Sequence, residues 1–161
     1  MTHKRRTTHF IILILAALIL AACAGDGSVR PQGGAQFSGT LTLERPGTNG
    51  RAMGGTIGFT LSEDGRAIAE LSYELEGDVC TDQGVTVQGV GATLRQDPPP
   101  QIKDGTFIWS SEGVRVDGTF TQPTQAQGTI SLIMEKEVQA LGETTQISCD
   151  YGKWAWTAEA E

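Results

Sequence analysis

Carboxylates are the residues in this 161-residue chain best suited, by type and number, to build an active site. Both histidines, His3 and His9, lie near the N-terminus. The rest of the chain therefore lacks the base of Ser-His-Asp and Cys-His sites and the commonest zinc ligand. A glycosidase needs two acids several ångströms apart beside a sugar groove. The candidates for such a pair are Glu70, Glu74, Glu112, Asp117 and Glu135. Most occupy outward strand positions or turns, where a solvated charge is the default, so the sequence singles out no catalytic pair.

Cofactor motifs are also missing. The chain has no G-x-G-x-x-G or Walker A pattern after a strand and no EF-hand loop. Glu76, Asp78 and Asp82 crowd one loop, and their oxygens would suit Ca²⁺, but their spacing matches no known calcium loop. A solvated acidic loop is the favoured interpretation. We therefore expect no catalytic residue, no metal and no cofactor.

The charge is divided unevenly along the chain. The formal net charge is −7, yet the first 22 residues contain Lys4, Arg5 and Arg6 and no acid. The remaining 139 residues hold nine Lys and Arg against 19 Asp and Glu, which leaves them a net charge of −10. Such an acidic body argues against nucleic acid and anionic lipid as direct ligands.

The N-terminus has the pattern of an export signal. Residues 1–9 are polar and basic, and residues 10–22 form an unbroken run of 13 apolar side chains. This run is short for a membrane span, which needs about 20 residues. A basic segment, a short apolar core and small residues at its end are typical of a secretory signal peptide.

The end of this run is more specific. Leu20, Ala21, Ala22 and Cys23 form the sequence L-A-A-C, which resembles the lipobox of bacterial lipoproteins. The resemblance implies a signal peptide over 1–22, cleavage before Cys23 and attachment of acyl chains to its thiol, two or more of which anchor a protein stably. It places the protein in the bacterial cell envelope, on the outer membrane or the outer face of the cytoplasmic membrane.

Beyond the lipobox the composition changes twice. Residues 23–36 comprise the lipidated cysteine and a Gly-rich stretch, which we interpret as a flexible tether with a root-mean-square reach of roughly 20 Å. The alternative is that part of this stretch pairs as an edge strand. From residue 37 to 161 we predict a single β domain.

Alternation of apolar and polar residues dominates this domain. Leu71, Tyr73 and Leu75, for example, alternate with polar residues, as in a strand with one face in water. The phase shifts at Gln88 and Gly89, which indicates a bulge. The pattern predicts an all-β fold, an antiparallel β-sandwich or small β-barrel of eight or nine short strands. The sequence does not distinguish sandwich from barrel.

Two cysteines remain once Cys23 carries lipid. An exported chain meets a disulfide-permissive compartment, and an even pair there most often forms one bridge. A bond between Cys80 and Cys149 would close a loop of about 70 residues, worth about 4 kcal/mol in the chain-entropy model. The alternative is a pair of reduced, buried cysteines.

Six residues form a candidate binding surface: Trp109, Trp154, Trp156, Pro98, Pro99 and Pro100. Trp154 and Trp156 share a face of the last strand, and inward is the default for such a pair; outward, the tryptophans would stack on sugars or anchor a protein. The three prolines cannot donate to a ladder and predict a stiff loop over 97–104 that could plug a partner's cleft.

The C-terminal half carries D-G-T-F twice and ends in C-x-Y-G-x-W-x-W-T-A, from Cys149 to Ala158. This pattern resembles small secreted or lipid-anchored bacterial β domains of unknown function, and the resemblance implies the fold without implying catalytic residues. We expect a lipid-anchored envelope domain with a non-enzymatic role, binding a protein or glycan or serving a structural purpose. A carboxylate-dependent hydrolase acting on envelope glycan is the alternative.

Overall fold

The computed structural model describes residues 29–111, 113–140 and 143–161. This part of the chain contains eleven strands and no helix, and so no helix that could span a membrane. Eight strands form the main sheet: β1 (Gln36–Arg45), β3 (Gly54–Leu61), β4 (Ile68–Glu76), β7 (Gly91–Leu94), β8 (Thr106–Ser111), β9 (Val114–Gln122), β10 (Gln125–Ala140) and β11 (Glu143–Ala160). Three form a small sheet: β2 (Gly50–Arg51), β5 (Val79–Asp82) and β6 (Val85–Val87).

The main sheet is antiparallel and curls into a half-barrel. Its strand order is β7-β4-β3-β1-β11-β10-β9-β8, and the small sheet has the order β2-β5-β6. The predicted all-β antiparallel fold is confirmed, with an architecture between the two alternatives. The described residues contain more strands than the eight or nine predicted because β2, β5 and β6 have only two to four residues, too few to show a period of two.

The longest hairpin extends beyond the half-barrel. β10 has 16 residues and β11 has 18, so they are not the short strands predicted. β9 pairs with β10 only as far as Leu132, where the ladder between β10 and β11 has a bulge. We call residues 133–140 and 143–150 the hairpin arm.

Inward side chains of the curled sheet form one core. Phe37 stacks on Phe59 with ring centroids 4.8 Å apart, and Trp156 meets Phe59 edge-on at 5.8 Å. Trp109, Trp154 and Trp156 are only 0%, 1% and 2% exposed. The inward orientation expected by default is thus confirmed. Their place in a candidate binding surface is wrong, because each lies on the concave side of its strand, where the alternation directs large apolar side chains into the core.

Glycines inside the strands permit the tight curl. A Cβ built on Gly39 would overlap the carbonyl oxygen of Thr157, and one on Gly128 would overlap that of Asp117. The Gly128 position also lies 2.7 Å from Cζ2 of Trp156. Neighbouring backbone and an indole ring therefore occupy the space that any larger residue would need, as at the bends of barrels.

The chain before β1 lies against the domain. Pro31 is buried, Gly34 N donates to Ser62 O at 2.9 Å, and Leu61 N donates to Ala35 O at 3.0 Å. From Val29 onward the predicted tether is therefore packed on the turn between β3 and β4. The contact places the entry of the chain at a defined point on the domain.

The phase shift at Gln88 and Gly89 has a different cause from the predicted bulge. β6 ends at Val87 in the small sheet, and β7 begins at Gly91 in the main sheet. Gly89 has a φ of 78°, the left-handed conformation that glycine adopts freely. The chain crosses between sheets here, so the inward face changes.

Candidate functional site

The strand ends define two poles of the domain. β1 begins, β8 begins and β11 ends at one pole, where Phe37 pairs with Ala160. Val29 lies at this same pole beside Gly105, so we call it the entry pole. β7 begins and β8 ends at the opposite pole, and the six residues of β8 span roughly 20 Å between them.

The half-barrel has a seam between its two edge strands. Within the described residues β7 pairs only with β4, and β8 pairs only with β9. The side chain of Gln96, just after β7, donates from Nε2 to Ser110 O of β8 at 2.6 Å. This bond links the two edges. β8 ends at Ser111. Farther from the entry pole than this residue, no described strand lies beside the free edge of β7, so the seam is open there.

A cleft of about 610 Å³ occupies the open part of the seam. β4 and β7 form one wall, while β9 and the start of the hairpin arm form the other. Its apolar side chains are Tyr73, Ala92, Leu94, Val114, Ile133 and Met134. Tyr73 and Val114 are buried, whereas Ile133 is 48% exposed. Depressions on the outer face of the sheet are lined mainly by Ser, Thr, Gly, Gln and Glu, and the Phe, Ile and Ala residues beside them are buried. The seam cleft, as we call it, therefore offers an apolar surface within reach of solvent.

Charged and polar groups border the seam cleft. Glu135, Lys136 and Glu137 line it from the hairpin arm and are exposed, and Glu74 lies opposite Gly91 in the ladder between β4 and β7. Burial raises the pKa of Tyr73, so its hydroxyl stays protonated at neutral pH. The cleft thus combines apolar walls with a border in which acids outnumber the single lysine.

Residues 143–150 of β11 pair with β10 on one side but have no main-sheet strand on the other. On that other side, side chains of residues 49, 82 and 83 hydrogen-bond to the backbone of β11. Asn49 Nδ2 donates to Ser148 O at 2.7 Å, and Asn49 Oδ1 accepts from Asp150 N at 2.9 Å. Asp82 Oδ2 accepts from Ser148 N at 2.8 Å, and Gln83 Nε2 donates to Gln146 O at 2.9 Å. These side chains make the hydrogen bonds that a neighbouring strand would otherwise make.

The small sheet is also linked covalently to β11. The sulfurs of Cys80 and Cys149 are 2.05 Å apart, and both residues are fully buried. The bond agrees with the pairing expected from the sequence. Close to it, Asp78 accepts from Gly89 N and Val90 N at 3.1 Å each, which fixes the chain where it enters β7.

Tyr151 lies beneath the small sheet. Its buried hydroxyl has no hydrogen-bond partner among the described residues. Burial, together with the negative charge of the neighbouring Asp78, raises the pKa of Tyr151 to about 12, so the phenol is neutral at physiological pH. It belongs to the structural support of the small sheet rather than to the seam cleft.

The proline loop lies at the entry pole and does not project as predicted. Ile68 N donates to Pro100 O at 2.9 Å, and Ile102 N donates to Arg66 O at 2.7 Å. Pro99 and Pro100 are half-buried, and only Pro98 of the three is exposed. Backbone hydrogen bonds hold the loop on the turn between β3 and β4, which leaves little of it to enter another protein's cleft.

The structure does not assemble the predicted acids into a pair. Glu70 forms an ion pair with Arg95, and Asp117 forms one with Arg115. Glu74 and Glu135 are exposed, and Glu112 lies outside the described residues. In this part of the chain no three His, Cys, Asp or Glu residues are grouped to hold a metal ion. Of the acidic loop considered for calcium, Asp78 and Asp82 instead accept hydrogen bonds from backbone N–H groups.

The signal peptide over 1–22 and the lipidation site Cys23 lie outside the described residues.

Sequence reasoning placed Tyr73, Val114 and Met134 on strands but did not bring them together. The alternation of apolar and polar residues identifies the inward residues of a strand, but it does not show which of them border the gap between two edge strands.

Comparisons of the chain with protein-family models, with curated proteins and with solved structures found no match.

Proposed function

We propose that this protein is a lipid-anchored binding domain of the bacterial cell envelope that holds a partner protein in its seam cleft. The observation that carries the proposal is an apolar, solvent-accessible cleft at the pole opposite the point of chain entry. Concave, mostly apolar sites with a few polar groups are where proteins most often bind ligands. The proposal involves no reaction.

The lipobox supports a particular orientation. Val29 is six positions after Cys23, and a fully extended chain of that length reaches at most roughly 20 Å. A lipid on Cys23 would hold the entry pole near the bilayer, and the seam cleft would open away from it. A partner in the periplasm or outside the cell would then meet the cleft before it met the membrane.

The lining favours a protein over a glycan. Sugars stack on exposed aromatic rings, and the one aromatic residue that lines the seam cleft, Tyr73, is only 8% exposed. Aliphatic and thioether side chains form the accessible part, and such groups bind apolar side chains of another protein.

Replacing Cys23 by Ser tests the anchor. In a bacterium that processes lipoproteins, we expect the wild-type chain in the membrane fraction with acyl chains on its N-terminal cysteine. The Cys23→Ser chain should carry no acyl chains, whether it is released or keeps its signal peptide. Acyl chains supply the membrane affinity, and serine cannot receive them through a thioether. Mass spectrometry of the mature N-terminus provides the check. A wild-type chain whose N-terminus carries no acyl chains would contradict the proposed anchor.

Replacing Met134 by Glu tests the cleft. The sample is the Cys23→Ser chain recovered from the soluble exported fraction, which has lost its signal peptide. We expect the neutral dye Nile red to fluoresce on binding to it, and Met134→Glu to weaken binding about tenfold because a charge would enter the apolar wall. Ile133→Glu, at a more exposed position of the same wall, provides a second variant. Fluorescence titration gives the affinity, and thermal melting verifies folding.

The matched control is Met53→Glu, because Met53 is 86% exposed and does not line the seam cleft. It introduces the same charge by the same substitution on the open surface. Equal dye binding by Met134→Glu, Ile133→Glu and Met53→Glu would mean that the cleft is not the apolar binding site.

A further inference from the structure

The wall of the seam cleft formed by β7 is an unpaired strand edge. Leu75 N donates to Val90 O at 2.8 Å, and the register continues through Tyr73 with Ala92. Antiparallel ladders alternate, so Ala92 and Leu94 direct their backbone groups toward β4. Gly91 and Thr93 therefore direct their N–H and C=O groups away from β4, toward the open seam.

Side chains cover some of the exposed backbone groups among the described residues, but they do not cover those of Gly91 and Thr93. Asn49 makes two hydrogen bonds to the backbone of β11, and Gln96 donates to Ser110 O of β8. No described residue makes a hydrogen bond to the free-edge groups of Gly91 or Thr93. Exposed edges are usually protected against added strands, so an uncovered edge beside an apolar cleft is a distinctive feature.

The side chains of β7 alternate in a way that suits an added strand. Ala92 and Leu94 are half-buried on the cleft side, while Gly91 and Thr93 are exposed. Val114 and Met134 lie on the facing wall of the same cleft. A strand added to β7 would place every second side chain between these walls and the others in solvent.

The charges around this edge indicate which residues should flank the apolar part of such a strand. Glu74 lies opposite Gly91 on β4, and Glu135 and Glu137 line the far wall, with Lys136 the one cation among the lining residues. This excess of acid agrees with the net charge of the body of the chain. A segment with basic residues beside its apolar ones would be attracted, and an acidic one repelled.

We propose that the partner binds by β-strand addition, with an extended segment of alternating apolar residues and basic flanks pairing with the free edge of β7. This inference rests on the proposed function and specifies its partner: backbone hydrogen bonds to Gly91 and Thr93 provide affinity, and the seam cleft receives the inward side chains.

Thr93→Pro tests the mode of binding. Proline removes the N–H that faces the seam but none that pairs with β4, and edge strands tolerate it on that side. The probe is the capped peptide Lys-Val-Thr-Val-Thr-Val-Lys, titrated against the Cys23→Ser chain. We expect saturable binding that Thr93→Pro weakens about tenfold. Thr93→Val, which keeps the N–H, should bind as tightly as the parent chain.

Two further measurements locate the peptide. Amide exchange followed by NMR should slow at Gly91 and Thr93 when the peptide binds, because their N–H groups gain partners. Ile108→Pro provides the control at the β8 edge, since Ile108, two residues before Ser110, also directs its N–H away from β9. This variant should bind the peptide normally. The same peptide with Glu in place of Lys should bind more weakly.

The outcomes separate the two proposals. Equal binding by Thr93→Pro and Thr93→Val overturns strand addition at β7, as does a loss confined to Ile108→Pro. If Met134→Glu still weakens dye binding in either case, the cleft function stands without strand addition. No binding of the peptide by the folded parent chain overturns strand addition. If Thr93→Pro fails to fold, amide exchange in the parent chain decides instead. Exchange at Gly91 and Thr93 that saturating peptide leaves unchanged then overturns strand addition.

Discussion

Breaking the disulfide between Cys80 and Cys149 should lower the free energy of unfolding by about 4 kcal/mol. The bond joins residues 69 positions apart, so reduction frees a long loop in the unfolded chain, and the chain-entropy model gives that magnitude. Single domains are stable by only about 5–15 kcal/mol, so much of the stability would be lost. Denaturant unfolding with and without a reducing agent measures the difference.

The Cys80→Ala/Cys149→Ala variant is the matched control for that experiment. It should unfold near the denaturant concentration of the reduced wild-type chain and should not respond to the reducing agent. Alkylation and mass measurement verify the redox state of each sample. If reduced and oxidised wild-type chains unfold together, the bond contributes little, and the hydrogen bonds of Asn49 and Asp82 to β11 hold the small sheet without it.

Replacing Gly128 by Ala should destabilise the domain by about 3 kcal/mol, the upper part of the range for overpacked cores. The added Cβ would overlap Asp117 O and lie 2.7 Å from Trp156 Cζ2. Neither neighbour moves easily, because one is backbone and the other is a ring 2% exposed in the core. Thermal melting should show a decrease of roughly 10 °C for a domain of this size.

Gly54→Ala is the control for this substitution. Gly54 also lies in a strand, but the nearest atom to its built Cβ is Glu76 Oε2 at 4.0 Å. There the methyl group fits, and the reduced freedom of the unfolded chain favours folding. A Gly128→Ala chain as stable as Gly54→Ala would show that the curl of the sheet does not depend on close approach at Gly128.

The seam is the feature that an open half-barrel has and a closed barrel lacks: a free strand edge beside an apolar cleft. A closed barrel has no strand edges, and a sandwich commonly protects its own. Here one short bond between Gln96 and Ser110 joins the edges on the side toward the entry pole, and the hairpin arm extends past the end of β9 on the other side. The result is an apolar cleft bounded by one free strand edge, held at the pole away from the point of chain entry.

The sequence by itself determined the all-β class, and it favoured inward tryptophans and a cysteine pair. These follow from local rules: alternation fixes which side of a strand each residue faces, and an even number of cysteines in an exported chain favours pairing. The alternation of Leu71, Tyr73 and Leu75 was sufficient to predict β4 and its buried face.

Tertiary structure alone decided where the sheet stays open. Tyr73, Leu94 and Met134 come from three strands far apart in sequence, and their meeting depends on sheet order, curl and register. It also decided that the proline loop folds back onto Ile68, since a long-range backbone hydrogen bond leaves no local sequence pattern. Alternation fixes a residue's side within its own strand, whereas the gap between β7 and β8 is a property of the whole sheet.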